Sequence, residues 1–310
     1  MSSTEPAARR APVLLEAWRL AVGTLTVLPV RPPARVDPQV GRWAMLLAPV
    51  AALPHALVVV LAWFGARSGV LPALVAAVLA VAGMALLSGG LHLDGLADTV
   101  DGLAAAGKAG TAERGLDVMR RGDVGPLGAA AVTLVLMLDI ACLAALFGQP
   151  HPVVPVAAAG AVLASRHALG WACRRGQPAA RPGGLGAAVA GTVPIGYAAL
   201  TALLGAAIGW WVAATVHPAR PQPIPAGSIQ LPPAAPRSAP PLVSGQLVPI
   251  GDLVVPVLVG LGPVLAALVA ALVVGRLARR RLGGVTGDVL GATVELALAG
   301  ALLSLAAILG

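Results

Sequence analysis

Apolar stretches of about twenty residues recur along this 310-residue chain and restrict its fold more than any other feature. A helix needs about 20 apolar residues to cross the roughly 30 Å of hydrocarbon in a bilayer. We identify such stretches at 44–65, 70–91, 127–148, 153–172, 195–216, 252–275 and 289–309. The sequence therefore predicts an all-α, polytopic integral membrane bundle of about seven transmembrane helices.

The composition agrees with this fold class. Hydrophobic residues make up 58% of the chain and charged residues only 11%, whereas soluble domains carry about 25% charged residues. The net charge of +8 is explained by loop arginines that fix topology, so we expect a lipid bilayer and no nucleic acid as a partner. Cys142 and Cys173 do not form the pattern of a disulfide framework or a zinc site.

The basic residues are distributed unevenly between the predicted loops. Seven alternating crossings place 14 of them on one side and only Arg67, Arg220 and Arg237 on the other. Loops rich in Lys and Arg remain cytoplasmic. We therefore predict a multi-pass protein of the cell (plasma or inner) membrane whose basic loops face the cytoplasm.

Two segments lie outside the predicted spans of an otherwise single membrane-embedded catalytic domain, 1–310. Segment 11–30 is apolar but is interrupted by Glu16 and Arg19, which predicts an interfacial or re-entrant helix rather than a cleaved signal peptide. Segment 217–251 is rich in proline and predicts a flexible non-cytoplasmic loop.

Three aspartates follow the second apolar stretch in "SGGLHLDGLADTVDGLAAAG", residues 88–107. If this segment is helical, Asp94, Asp98 and Asp101 lie at i, i+4 and i+7, within about 60° of arc on one face. Carboxylates this close repel one another unless a cation neutralises them, and Mg²⁺ prefers carboxylate oxygen. A solvated helix end is the simpler interpretation of one aspartate, but three in phase favour a metal site.

Other residues of this segment are candidates for the same site. Gly95, like the neighbouring glycines 89, 90 and 102, permits the close approach of a backbone or a bulky ligand. His92 points to roughly the opposite face from Asp94 on an ideal helix, so it is either a structural residue or a catalytic base.

A second acidic element lies in "RLGGVTGDVLGATVELALAG", residues 281–300. Asp288 and Glu295 share one helical face with Gly291 and Ala292 between them, a small-residue track that lets another helix or a ligand lie close. Glu295 is predicted to be an intramembrane carboxylate, which is costly unless it has a function. Asp288 is either a metal ligand or the N-cap of the last span.

Arginines in the same predicted cytoplasmic region complement these acids. Arg120 follows the acidic stripe, and Arg166 falls inside an apolar stretch where an unpaired cation is expensive. Acids that hold a metal, together with arginines and glycine-rich loops that hold phosphate, indicate a phosphoryl-transfer site on one membrane face.

The segment "GGLHLDGLADTVDG" resembles the signature of the cobalamin synthase family, the adenosylcobinamide-GDP ribazoletransferases. Further motifs of that family recur in the same order and cover most of the chain: "LTVLPV" (25–30), "GLDVMRRGDVGPLG" (115–128), "SRHALG" (165–170), "GGLG" (183–186) and "LGGVTGDVLGATVEL" (282–296). Two departures are Arg121-Gly122-Asp123, where the family has Asp-Ser and a basic residue, and the proline-rich segment.

The resemblance implies a reaction and a cofactor. Adenosylcobinamide-GDP and α-ribazole, or its 5′-phosphate, would be joined to give adenosylcobalamin, or its phosphate, with release of GMP and a requirement for Mg²⁺. On this hypothesis Asp94, Asp98, Asp101 and Asp288 hold the metal, and Asp94, Asp98 or His92 act in catalysis. Arg120, Arg166, Gly95 and Glu295 contact the substrates.

Two other functions are consistent with a polytopic chain that carries intramembrane acids. A CDP-alcohol phosphotransferase also has an Asp-Gly-rich metal helix, but Ala97 is here followed by Asp98 rather than by arginine. A cation-coupled transporter would place acids near the midplane of several spans, as at Asp139. The sequence leaves the oligomeric state open, including a homo-oligomer.

Overall fold

The computed structural model describes residues 11–216 and 250–310, with side chains from residue 254 onward in the second range. That part of the chain contains helices and two isolated β-bridges but no strand. The helices are α1 (Val13–Leu25), α2 (Pro38–Ala51), α3 (Leu53–Arg67), α4 (Ala73–Leu87), α5 (Leu91–Ala109), α6 (Ala112–Met119), α7 (Pro126–Phe147), α8 (Val154–Ala172), α9 (Gly184–Val189), α10 (Ile195–Val216), α11 (Ile250–Arg281) and α12 (Gly287–Leu309). The prediction of an all-α membrane bundle is confirmed.

Five helical segments of the described chain are long and apolar enough to cross a membrane: α2 with α3 (Pro38–Arg67), α7, α10, α11 from Val254 onward, and α12. The bent pair α4–α5 raises the count to six if it is one span. The predicted number of about seven is therefore approximate. The predicted span 153–172 corresponds to α8, which carries Ser165, Arg166 and His167 and is not among these candidates.

The second apolar stretch ends in a sharp turn. Gly89 and Gly90 have φ of 62° and 73°, a left-handed conformation that glycine adopts without steric cost. Gly90 N–H donates to the carbonyl of Ala85 at 2.9 Å, and the chain leaves as α5 at 86° to α4. The stretch 70–91 thus does not continue as one helix past His92, because two consecutive left-handed residues end α4.

The predicted cytoplasmic loops meet at one end of the bundle. Val27 N–H donates to Leu87 O at 2.7 Å, which joins the segment after α1 to the α4–α5 turn. Arg181 donates to Leu116 O at 2.9 Å, and Val285 N–H donates to Pro178 O at 2.9 Å. These bonds bring α6 and the loops before α9 and α12 together at one end of the bundle.

Helices α5 and α12 approach unusually closely through glycine. A Cβ on Gly95 would lie 2.8 Å from Asp288 O and 3.1 Å from Asp288 Cα, and a Cβ on Gly291 would lie 3.2 Å from His92 Cα. The predicted small-residue track on α12 is thereby confirmed as a helix contact. It places the acidic stripe of α5 beside Asp288.

Helix α1 lies against α2, with Glu16 1% exposed. The Glu16 carboxylate accepts a hydrogen bond from Ala34 N–H at 2.5 Å and pairs with Arg19 at 2.9 Å. The carboxylate of Asp37 caps α2 by accepting hydrogen bonds from the N–H groups of Gln39 and Val40, and these bonds, with Arg35, hold the pKa of Asp37 below its usual value. The interfacial position of 11–30 stays a prediction, and nearly all of the proline-rich segment 217–251 lies outside the described residues.

We predict that Gly95→Ala destabilises the fold by about 1–3 kcal/mol, because the added methyl group meets the backbone of α12 rather than a side chain that could move. Thermal unfolding of the detergent-purified protein measures this. Gly196→Ala is the matched control, since a Cβ on that helical glycine of α10 would meet nothing within 4 Å. Equal unfolding temperatures for the two variants would contradict the close α5–α12 contact.

Candidate active site

Three carboxylates and one arginine form the centre of the site, which we call the acid cluster: Asp94, Asp98, Asp288 and Arg181. Asp98 is 7% exposed and lies within electrostatic range of the other three residues. Asp288 likewise interacts with Asp94 and Arg181. Helix α5 supplies two of the acids, the start of α12 the third, and the loop before α9 the cation.

Asp288 is not the N-cap of α12. That position is occupied by Thr286, whose hydroxyl oxygen accepts a hydrogen bond from Val289 N–H at 3.2 Å. The same hydroxyl donates to Asp288 Oδ2 at 3.2 Å. The capping alternative for Asp288 is thus wrong, and its second carboxylate oxygen makes no side-chain hydrogen bond among the described residues.

Asp101 differs from the other acids of the stripe. Its Oδ2 accepts a hydrogen bond from Gly125 N–H at 2.7 Å and its Oδ1 accepts one from Gly128 N–H at 3.0 Å. Both donors belong to the N-terminus of α7, where backbone N–H groups have no partner within the helix. Asp101 therefore joins the C-terminal end of the family-like motif 115–128 to α5. Its role as a metal ligand stays a prediction.

A buried polar cluster lies between α5, α7, α8 and α12: His92, Asp139, Arg166 and Glu295. All four residues are at most 8% exposed. Arg166 donates to Ser165 Oγ at 2.7 Å and interacts electrostatically with Asp139 and Glu295, and His92 Nδ1 lies 3.7 Å from Glu295 Oε1. Arg166 and Glu295 thus have partners of opposite charge within the bundle, and neither is among the charges that act on Asp98.

Arg120 lies on the surface. Its guanidinium pairs with Asp117 one turn earlier, and its side chain is 60% exposed. Lys108 and Arg114 line a cleft between α5, α6 and the start of α7, and Arg120 is not among its lining residues. Contact of Arg120 with a substrate phosphate stays a prediction.

The donors of the acid cluster suit Mg²⁺. No three His, Cys, Asp or Glu side chains of the described residues form a ready-made cage. Mg²⁺ does not require one, because it keeps several waters and is usually held by one or two carboxylates and by substrate phosphates. Asp94, Asp98 and Asp288 offer such a set at the bundle end where the loops meet.

Comparison with known proteins gives one consistent result. The family model for cobalamin-5-phosphate synthase matches residues 17–306. The chain belongs to the cobalamin-5-phosphate synthase family. The resemblance of its motifs to that family is thereby confirmed.

Relatives of this family member are named adenosylcobinamide-GDP ribazoletransferase. One from Nocardioides sp. is 42% identical over 94% of this chain and 99% of its own length. One from Frankia casuarinae is 35% identical over 95% of each chain, and one from Pseudomonas aeruginosa is 33% identical over 94% of this chain and 98% of its own. No solved structure matches the chain.

In this synthase family member, sequence reasoning placed the aspartates correctly on one face of α5. It missed Arg181 as their partner and Asp139 as the partner of Arg166. Arg181 looked like one loop arginine among several, and its place beside Asp98 depends on the hydrogen bonds that fold the loop before α9 onto Leu116 and Val285. Asp139 was noted only as an acid within a span. Its spacing in α7 carries no signal that Arg166 of α8 is its partner.

We predict that Asp101→Asn destabilises the protein by about 1–3 kcal/mol, because the amide offers only one acceptor to two backbone N–H groups. Asp94→Asn, on an exposed side chain of the same helix, is the control and should leave the unfolding temperature unchanged. Thermal unfolding without substrate checks both variants. A purely metal-binding role for Asp101 would instead leave the apo protein equally stable in the two cases.

Proposed function

We propose that the protein joins adenosylcobinamide-GDP to α-ribazole or α-ribazole 5′-phosphate, giving adenosylcobalamin or its 5′-phosphate and GMP. A ribose hydroxyl oxygen forms a bond to the phosphorus attached to the cobinamide arm. The bond from that phosphorus to the bridging oxygen breaks, and its electron pair leaves with GMP. The hydroxyl proton passes to a carboxylate of the acid cluster or to His92.

One observation carries this proposal: the family match spans 17–306, and four of the family-like motifs within it, at 25–30, 89–102, 115–128 and 282–296, meet at one end of the bundle. Val27 meets the α4–α5 turn, Asp101 holds Gly125, and Val285 bonds to the loop that carries Arg181. A site assembled from five separate segments suits two substrates that must meet in one orientation.

The acid cluster has two roles in the proposal. Asp94, Asp98 and Asp288 would hold Mg²⁺, which supplies positive charge to the diphosphate when it is bound. Arg181 is the positively charged member of the cluster. It would contact a phosphate oxygen and limit the repulsion between Asp98 and Asp288. Arg166 and Glu295 lie beneath the cluster, where they position α8 and α12.

The orientation in the membrane is part of the proposal. The segments that meet at this end of the bundle, α6 and the loops after it and before α9, carry six arginines: Arg114, Arg120, Arg121, Arg174, Arg175 and Arg181. Since basic loops stay cytoplasmic, the site faces the cytoplasm, where nucleotide-activated substrates are available. We place the protein in the cell membrane on the same ground.

We predict that Asp98→Asn lowers GMP release on the order of 100-fold, because the variant loses a buried negative charge that the reaction requires. The assay follows GMP from adenosylcobinamide-GDP with detergent-purified protein, with and without α-ribazole and with Mg²⁺ varied. Wild type should need both additions.

Glu113→Gln serves as the control for charge loss at the same membrane face. Its side chain is exposed in the first turn of α6 and lies outside the acid cluster, so full activity is expected. Turnover of Asp98→Asn at the wild-type rate, with unchanged Mg²⁺ dependence, would rule out the assigned role of the cluster.

We predict opposite labelling of two introduced cysteines in sealed right-side-out vesicles treated with a membrane-impermeant maleimide. Ser68→Cys, in the exposed loop after α3, should react, whereas Glu113→Cys should react only after the vesicles are opened. The native Cys142 and Cys173 are buried and provide a low background. The reverse pattern would place the acid cluster outside the cytoplasm.

A further inference from the structure

A cavity of about 220 Å³ lies directly beside the acid cluster, between α1, α2, α5, α8, α9 and α12. Its wall is mostly aliphatic, formed by Leu25, Met45, Leu169, Leu185, Leu290 and Val294. This volume is below the roughly 300–1,000 Å³ of pockets that hold drug-sized ligands. The cavity therefore suits a small aromatic group and not a whole corrin macrocycle.

Polar groups lie at only a few points of this wall. Asp288, which belongs to the acid cluster, and His92 both line the cavity. Thr24 also lines it, but its hydroxyl donates to Leu20 O at 2.7 Å. None of the described lining residues is Lys or Arg, so the cavity has no cation for a phosphate, and it suits an uncharged apolar group whose polar end reaches Asp288.

The two substrates of the proposed reaction differ in size and charge, the two properties by which this cavity can distinguish them. Adenosylcobinamide-GDP carries a large corrin ring and a charged diphosphate. α-Ribazole carries a compact bicyclic aromatic base attached to a ribose. We propose that the cavity binds the aromatic base of α-ribazole, an inference that rests on the proposed function.

This placement also orients the reacting group. With the base among the leucines, the ribose is directed toward Asp288 and His92, the titratable residues that line the cavity. The attacking hydroxyl is then beside the acid cluster, where the diphosphate is held in the proposed reaction. The apolar wall would select among ribazoles by the size of their base, and Leu185 is the wall residue best suited to a test because it is only partly buried.

The test is Leu185→Trp, which fills the cavity. We expect the KM for α-ribazole to rise about tenfold or more. The KM for adenosylcobinamide-GDP should stay within about twofold of the wild-type value. Equilibrium binding of α-ribazole to the protein, followed separately from turnover, should weaken in parallel. Leu203→Trp, on an exposed leucine of α10 away from the cavity, is the matched control and should change neither constant.

Leu185→Ala is a second variant that keeps the test decisive if the tryptophan variant does not fold. An enlarged cavity should raise kcat/KM for ribazoles with bulkier bases relative to α-ribazole itself. An unchanged order of preference in Leu185→Ala overturns the inference, as does an unchanged α-ribazole KM in a folded Leu185→Trp. A rise confined to the KM for adenosylcobinamide-GDP assigns the cavity to the corrinoid instead and also overturns it.

The failure of this inference is distinguishable from failure of the proposed function. Absence of GMP release by folded wild type, in the presence of both substrates and Mg²⁺, refutes the proposed reaction. In that event the binding experiment alone decides the cavity's role: α-ribazole that binds wild type and binds Leu185→Trp at least about tenfold more weakly supports the cavity as an aromatic-base site. Equal binding to both, or none to wild type, overturns it.

Discussion

The close contact of α5 with α12 is the constraint on which the site depends. Small residues let helix backbones approach in a membrane, where van der Waals packing rather than the hydrophobic effect drives helix association. Here Gly95 meets the backbone of Asp288 and Gly291 meets that of His92. That single contact brings carboxylates from two distant parts of the chain into the acid cluster. The apolar cavity lies along the same α5–α12 contact. A side chain at either glycine would separate both features at once.

Beneath the site, the bundle tolerates charges that an apolar interior would otherwise expel. Arg166 interacts with Asp139 of α7 and Glu295 of α12, and an intramembrane charge is kept at tolerable cost only when it has such partners. Because the interacting residues come from α5, α7, α8 and α12, the buried polar cluster fixes four helices relative to one another. The arginine and glutamate of two family-like motifs therefore hold together helices that include α5 and α12, which carry the acids of the acid cluster.

Much of the fold and part of the site could be predicted from residue patterns. Apolar length predicted the membrane helices, and helical spacing predicted that Asp94 and Asp98 share a face. The count of spans was only approximate, because α8 is a core helix with Arg166 in it and α4 ends at Gly89–Gly90 with an 86° turn. Helical phase also could not show that Asp101 accepts two backbone hydrogen bonds from α7, since that role depends on a helix that begins 25 residues later.

The sequence by itself determined that the chain is an all-α bundle with membrane-spanning helices and which family it resembles. These properties follow from local hydropathy, charge and ordered motifs, each readable within one short segment. Only the tertiary structure decided that Arg181 belongs with the acids, that Thr286 and not Asp288 caps α12, that Arg166 is paired inside the bundle, and that an apolar cavity adjoins the acid cluster. Each of these depends on contacts between segments far apart in the chain, and such contacts arise from packing, which no single segment encodes.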